Sequence, residues 1–186
     1  MGRPSCKALI LDAAEHVVVE GGALRLTLDA VAERAGVSKG GLLYHFPSKE
    51  ALLQAMLERL LDRGRMRRCE MESPEPPGVA RDLKCELSAS LMAMDKDRQV
   101  SSGLLAAVAN EPTLLKPVLE FHRERYARLA PPGTAGDRRA LLLLAADGLC
   151  FLQLLQVSPF DDERKQALVE ALFRLAEEFS LDTDDG

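Results

Sequence analysis

The sequence predicts an all-α protein of about nine helices, and three observations predict it. Its apolar content is dominated by Leu and Ala, both good helix formers, whereas aromatic residues make up only 4% of the chain and Trp is absent. Apolar residues recur at i, i+3 and i+4, and no stretch alternates in the manner of a half-buried strand. Gly-Gly and Pro-containing clusters separate these periodic segments, as helix punctuation does. At 186 residues, 47% of them hydrophobic, the chain can bury one large core or two small ones.

The elements follow in order. Pro4-Ser5 opens a first helix over about 6–20, with Leu9, Ile10, Ala13, Ala14, Val17 and Val18 as its apolar stripe, and Gly21-Gly22 ends it. Thr27 caps a second helix carrying Leu28, Val31, Ala32 and Ala35. Gly36 stands where a tight turn needs a positive φ, and Ser38 caps a short third helix that Pro47 stops after Phe46. Val37 and Phe46 are expected in a small three-helix core. Ser48 caps a long fourth helix running from Lys49 to about Met71, with Leu52, Leu53, Met56, Leu57, Leu60 and Leu61 on one face.

The run Ser73-Pro74-Glu75-Pro76-Pro77-Gly78 cannot continue a helix and reads as a loop. Five further helices follow, over about 79–93, 96–109, 112–130, 137–156 and 162–179. Pro112, Pro131-Pro132-Gly133 and Ser158-Pro159 separate the later ones, and residues 180–186 read as a disordered tail.

Charge and composition exclude several classes. The net charge is −5, yet Arg34 to Lys49 holds three bases (Arg34, Lys39, Lys49) and no acid. Acids gather elsewhere, as at Asp161, Asp162 and Glu163 and in the tail at Asp182, Asp184 and Asp185. A local basic face on an acidic body still attracts phosphate. Cys6, Cys69, Cys85 and Cys150 are scattered and read as reduced thiols; no metal spacing appears, so neither metal nor cofactor is expected. His16, His45 and His122 lie far apart, without a nucleophile elbow or a phosphate-binding glycine loop, so an enzyme is not expected. The first residues lack an apolar signal core, and the most apolar run, Ala140 to Leu155, is interrupted by Asp147 and Gln153. No membrane association and a cytoplasmic location are therefore expected.

Residues 27–50 carry the sharpest signal. Two short helices joined at Gly36, the second bearing Lys39, Tyr44 and His45, read as a helix-turn-helix, whose second helix enters the DNA major groove. Thr27, Val31, Ala32, Ala35-Gly36-Val37-Ser38, Gly40, Phe46, Ser48-Lys49-Glu50 and Leu52 together resemble the tetracycline-repressor (TetR) family of bacterial transcriptional regulators over residues 7–60. The length and the all-helical remainder also fit that family.

The resemblance implies a three-helix DNA-binding head over 1–48. A connecting helix over 49–72 would join it to a ligand-binding and dimerisation domain over 73–179. It implies a dimeric one-component repressor that binds a near-palindromic double-stranded operator and is released by a small apolar or amphipathic ligand. An activator, or a regulator controlled by a protein partner, is the alternative; a helical binding module or enzyme with an incidental helix-turn-helix is the alternative of another class. Thr27, Ser38, Lys39, Gly40, Gly41, Leu43, Tyr44, His45 and Lys49 are the expected DNA contacts. Leu43 occupies the position this family most often fills with Tyr, and Gly41 replaces a side chain that would reach a base, so base readout falls on Lys39.

In the resembling family the last two helices pair with their mates in a second subunit. Leu141, Leu144, Ala145, Gly148 and Leu155, with Leu168, Ala171, Leu172 and Leu175, are the expected dimer contacts. The helix over 137–156 is apolar almost all round and should be buried on several faces. Asp147 within it needs a partner, an Arg or a ligand. Met92, Met94, Leu105, Phe121, His122, Tyr126, Asp147, Cys150 and Phe151 are the expected ligand contacts. Arg59, Arg63, Arg65, Arg67 and Arg68 read as a solvated face of the fourth helix, and Gly64 among them marks a hinge or a packing site.

Overall fold

The computed structural model of the protein describes residues 5–70, 77–92 and 95–179. Most of the expected 73–78 loop, Met94 and the 180–186 tail lie outside the described residues. Within them stand nine α-helices and one 3-10 turn, with no strand. The helices are α1 (Cys6–Arg25), α2 (Leu28–Ala35), α3 (Lys39–His45), α4 (Lys49–Glu70), α5 (Val79–Leu91), α6 (Asp95–Asn110), α7 (Lys116–Leu129), α8 (Thr134–Leu154) and α9 (Asp162–Glu178).

Boundaries differ from the sequence reading where local chemistry explains it. Gly22, at φ 70° and ψ 176°, breaks the helical path of α1, and a further turn follows to Arg25. The expected 112–130 helix is a 3-10 turn over Pro112–Leu115 and then α7, with Pro117 in its first turn, where a missing N–H is tolerated. α8 begins at Thr134 rather than near 137, and Gly136 in its first turn lies against the Pro131 carbonyl, where a Cβ would fall 1.6 Å from the oxygen.

The chain divides into two packing units. The first is Met1–Leu61 with Asp95–Leu119; the second is Asp62–Met94 with Glu120–Gly186. α6 and the start of α7 thus pack with the N-terminal helices, and the divide falls inside α4 and α7. In the first unit, Ile10, Ala14 and Val18 of α1 meet Val31, Leu42, Phe46, Leu52 and Met56 in one buried cluster that Val100 and Leu104 of α6 complete. Each such side chain contributes roughly 1.5–3 kcal/mol on burial. α6 approaches α1 at Gly103, where a Cβ would lie 2.3 Å from a Val18 methyl.

The second unit packs α5 on α8 and α9. Leu83 and Leu87 of α5, Leu142, Leu143 and Ala146 of α8, and Leu172, Ala176 and Phe179 at α9 form its core, joined by Leu129 of α7. α8 departs from the expectation of burial on several faces: Leu141, Leu144, Phe151 and Leu155 are exposed in the single chain. The helix closes through Val157 N–H to Leu152 O at 3.0 Å and Gln156 N–H to Gln153 O at 3.1 Å, which places Gln156 at φ 57°.

Candidate nucleic-acid interface

The helix-turn-helix is fixed by local chemistry at each corner. The Thr27 hydroxyl accepts from Ala30 N–H at 3.1 Å, and the Ser38 hydroxyl accepts from Gly41 N–H at 3.1 Å, each satisfying a donor that the helix leaves open. Gly36 sits at φ 66° and ψ 32°. Its N–H donates to Glu33 O at 3.1 Å and Val37 N–H donates to Ala32 O at 3.0 Å, the paired bonds of a Schellman motif. The Ser48 hydroxyl accepts from Ala51 N–H at 3.2 Å and opens α4.

α3 turns one face inward and one out. Leu42 is fully buried and Phe46, just past the helix, packs in the same core, with the Lys7 ammonium 5.9 Å from its ring centroid. Lys39, Gly40, Leu43 and Tyr44 form the outer face, Tyr44 at 85% exposure. Of the two adjacent leucines, Leu42 lies in the core and Leu43 outside. Tyr44 and His45 meet edge to face at 5.1 Å, which limits the freedom of both rings. Thr27 is exposed and Lys49 half-buried.

The acid-free charge of residues 34–49 is altered by the fold. The Lys39 ammonium reaches the Asp29 carboxylate at 2.8 Å and 3.1 Å. Arg34 makes a two-pronged contact with Glu20 at 2.6 Å and 2.8 Å, which holds the Glu20 carboxyl below its usual range. Two of the three bases are therefore compensated by acids from outside the segment. Such exposed pairs are weak because water screens them, so a phosphate or base can displace or join them.

The second unit carries a buried polar chain. Arg125, almost fully buried on α7, contacts Asp147 of α8 at 2.7 Å and Glu86 of α5 at 3.0 Å. The Tyr126 hydroxyl donates to Asp147 at 3.0 Å, and burial with the Asp147 charge pushes its pKa to about 12. Arg68 and Arg128 also reach Glu86, at 3.2 Å and 3.3 Å. The Arg65 and Arg68 guanidinium groups lie 5.6 Å and 5.2 Å from the Phe121 ring centroid. His122 touches Phe121 and Tyr126, and burial lowers its pKa.

Several expected contacts need correction. Asp147 has its partner within the same chain. The α4 arginines are not simply a solvated face: Arg59 pairs with Asp12 and with buried Glu15, and Arg68 pairs with buried Glu86. Met92 is exposed at the end of α5, Phe151 is exposed on α8, and Leu105 falls in the first unit. Phe121, His122, Tyr126 and Asp147 do come together, and the Cys150 thiol donates to Ser90 O at 3.5 Å. The outer faces of α8 and α9 form an open apolar groove of about 390 Å³. It is lined by Ala145, Gly148, Leu149, Leu152, Leu168, Ala171, Leu172 and Leu175, while Leu141, Leu144 and Leu155 are exposed on α8. Leu172 is also part of the intrachain core.

Residues 10–56 match the family model described as bacterial regulatory proteins of the tetR family. Residues 85–177, half of the chain, match the tetracycline repressor-like C-terminal domain. The chain belongs to the TetR family. A stretch of 56 residues is 50% identical to the HTH-type transcriptional regulator RutR of Escherichia coli, a match covering 30% of this chain and only 26% of RutR. A Rhodococcus transcriptional regulator is similar in structure at TM-score 0.72 and 25% identity, over 98% of this chain and all of that one. The multidrug binding protein EbrR, solved with malachite green, is similar at TM-score 0.69 and 26% identity, over 92% of this chain and 98% of its own.

Within this TetR chain, sequence reasoning missed Arg125 and Glu86. A signal existed for both. Asp147 in an apolar helix demands a cation, and Glu86 stands between Leu83 and Leu87 on the buried face of α5. Among the described residues no helix is long and apolar enough to cross a membrane, and no cluster of three metal-ligating side chains occurs.

Proposed function

We propose that this TetR protein is a dimeric repressor that binds a near-palindromic operator through α3 and is released by a small molecule. The observation that carries the reading is the outer face of α3, where Lys39, Leu43 and Tyr44 project from a helix pinned by Leu42, Phe46 and the Ser38 cap. Lys39 reads base edges; Tyr44, His45, Ser38, Thr27 and Lys49 contact phosphates; Gly40 and Gly41 let the backbone approach. Leu43 packs on a thymine methyl.

The apolar face of α8 and α9 pairs with a second copy, as two α3 helices must reach major grooves about 34 Å apart. An exposed stripe of Leu141, Leu144, Phe151 and Leu155 supports that pairing. A ligand acts in the second unit on Phe121, His122, Tyr126, Asp147 and Cys150, and the multidrug binding of the neighbour EbrR supports a small-molecule effector. Any ligand with different affinities for the DNA-bound and free states shifts the balance.

Titration of the intact protein against genomic fragments at two salt concentrations tests this reading. The expected outcome is one or few tight fragments whose affinity falls steeply with salt. Uniform weak binding to every fragment would overturn it.

A further inference from the structure

We propose that Asp29 is a positioning residue for DNA recognition, which holds the Lys39 ammonium over α3 and suppresses ionic binding to the wrong sequences. The inference rests on the DNA-binding reading above. Asp29 lies in the first turn of α2 and Lys39 in the first position of α3. The ammonium is held by both carboxylate oxygens, at 2.8 Å and 3.1 Å. Both side chains are largely exposed, 59% for Lys39 and 71% for Asp29. The pair is therefore too wet to hold α2 against α3, which Val31, Ala32, Leu42 and the Gly36 turn already do. Its consequence lies on the reading surface.

Lysine is a point charge on a flexible four-carbon stem, with three donors and no preferred plane. Gly40 and Gly41 give Lys39 no neighbouring side chain to lean on, and a Cβ at Gly40 would stand in open space. Asp29 supplies the missing orientation. With two of its three N–H donors turned to the carboxylate, the ammonium keeps one for an acceptor such as guanine O6 or N7. The same carboxylate cancels the charge that would attract any phosphate. Non-specific affinity is almost wholly ionic, so it loses more from that cancellation than a base contact does. Glu20 compensates Arg34 in the same way on the same head.

Fluorescence-anisotropy titrations of the full chain on a selected operator duplex and a scrambled duplex test the proposal, between about 50 and 200 mM salt. In Asp29→Asn, affinity for the scrambled duplex should rise about three- to tenfold and its salt slope steepen by about one ion. Operator affinity should change less, so the specificity ratio falls. Asp29→Glu should restore the ratio. In a Lys39→Met background, Asp29→Asn should no longer change the ratio. Equal effects of Asp29→Asn on both duplexes, or an effect that persists without Lys39, would overturn the proposal. If the wild-type protein prefers no duplex, the DNA-binding reading fails and takes this inference with it; a wild-type preference that Asp29→Asn leaves intact overturns the inference alone.

Discussion

Lys39 and His122 show how single side chains acquire roles from their surroundings. Lys39 is a common residue on an exposed helix, and the proposed reading role rests on its position on the outer face of α3. Lys39→Ala should weaken operator binding by about 1–3 kcal/mol and weaken scrambled duplex by less, measured as the ratio of two dissociation constants. An equal loss on both would reduce Lys39 to a phosphate contact. His122 has its pKa held below 6.5, first by burial and then by the Arg125 charge, against opposing pulls from Asp147 and Glu86. The unfolded chain therefore binds the proton more readily, and stability falls as the pH drops below 6.5. Denaturant midpoints for wild type and His122→Gln should converge at neutral pH and diverge below it, with the variant losing less.

At the scale of the element, the caps and turns were legible because they depend on neighbours in sequence. Thr27, Gly36, Ser38 and Ser48 do what their residue types and positions predict. The ion pairs were not legible, because Asp29–Lys39, Glu86–Arg125 and Arg125–Asp147 join separate helices whose relative rotation no local pattern specifies. The burial of Leu42 and exposure of Leu43 was undecided for a related reason: seven residues of α3 are too few for periodicity to choose between adjacent leucines. Three glycine-related changes test the packing and the backbone. Gly103→Ala forces a Cβ to within 2.3 Å of Val18 and should cost about 1–3 kcal/mol by chemical denaturation. Gly64→Ala in α4 meets nothing closer than 3.9 Å, so no packing role requires this glycine. The alanine should gain about 1 kcal/mol of helix stability. Gln156→Gly relieves a left-handed non-glycine position at the end of α8 and should also stabilise, by about 1 kcal/mol.

For the whole molecule, the chain has more apolar surface than its own core uses. Leu141 at 67% exposure, with Leu144, Phe151 and Leu155 at spacings of one or two turns, lies beside the α8–α9 groove. In the proposed dimer a second copy covers that face and supplies the second head. Leu144→Glu places a charge at the middle of the face and should shift sedimentation from dimer to monomer. Operator affinity should drop at least about tenfold with it, or 1.4 kcal/mol. The number of helices and their order were readable because helix punctuation is frequent in this chain. The packing of α6 with the N-terminal helices was not, since the contact turns on one side-chain-free position, Gly103, facing Val18.

Selection of bound duplexes from a random pool by the intact protein tests the central claim most directly. The account predicts one enriched motif of two inverted half-sites, their centres one helical turn, about 10 base pairs, or a multiple apart. Enrichment should weaken in Lys39→Ala. A selected pool no different from the input, or a motif without inverted symmetry, would contradict the reading of this chain as a dimeric, sequence-specific DNA binder.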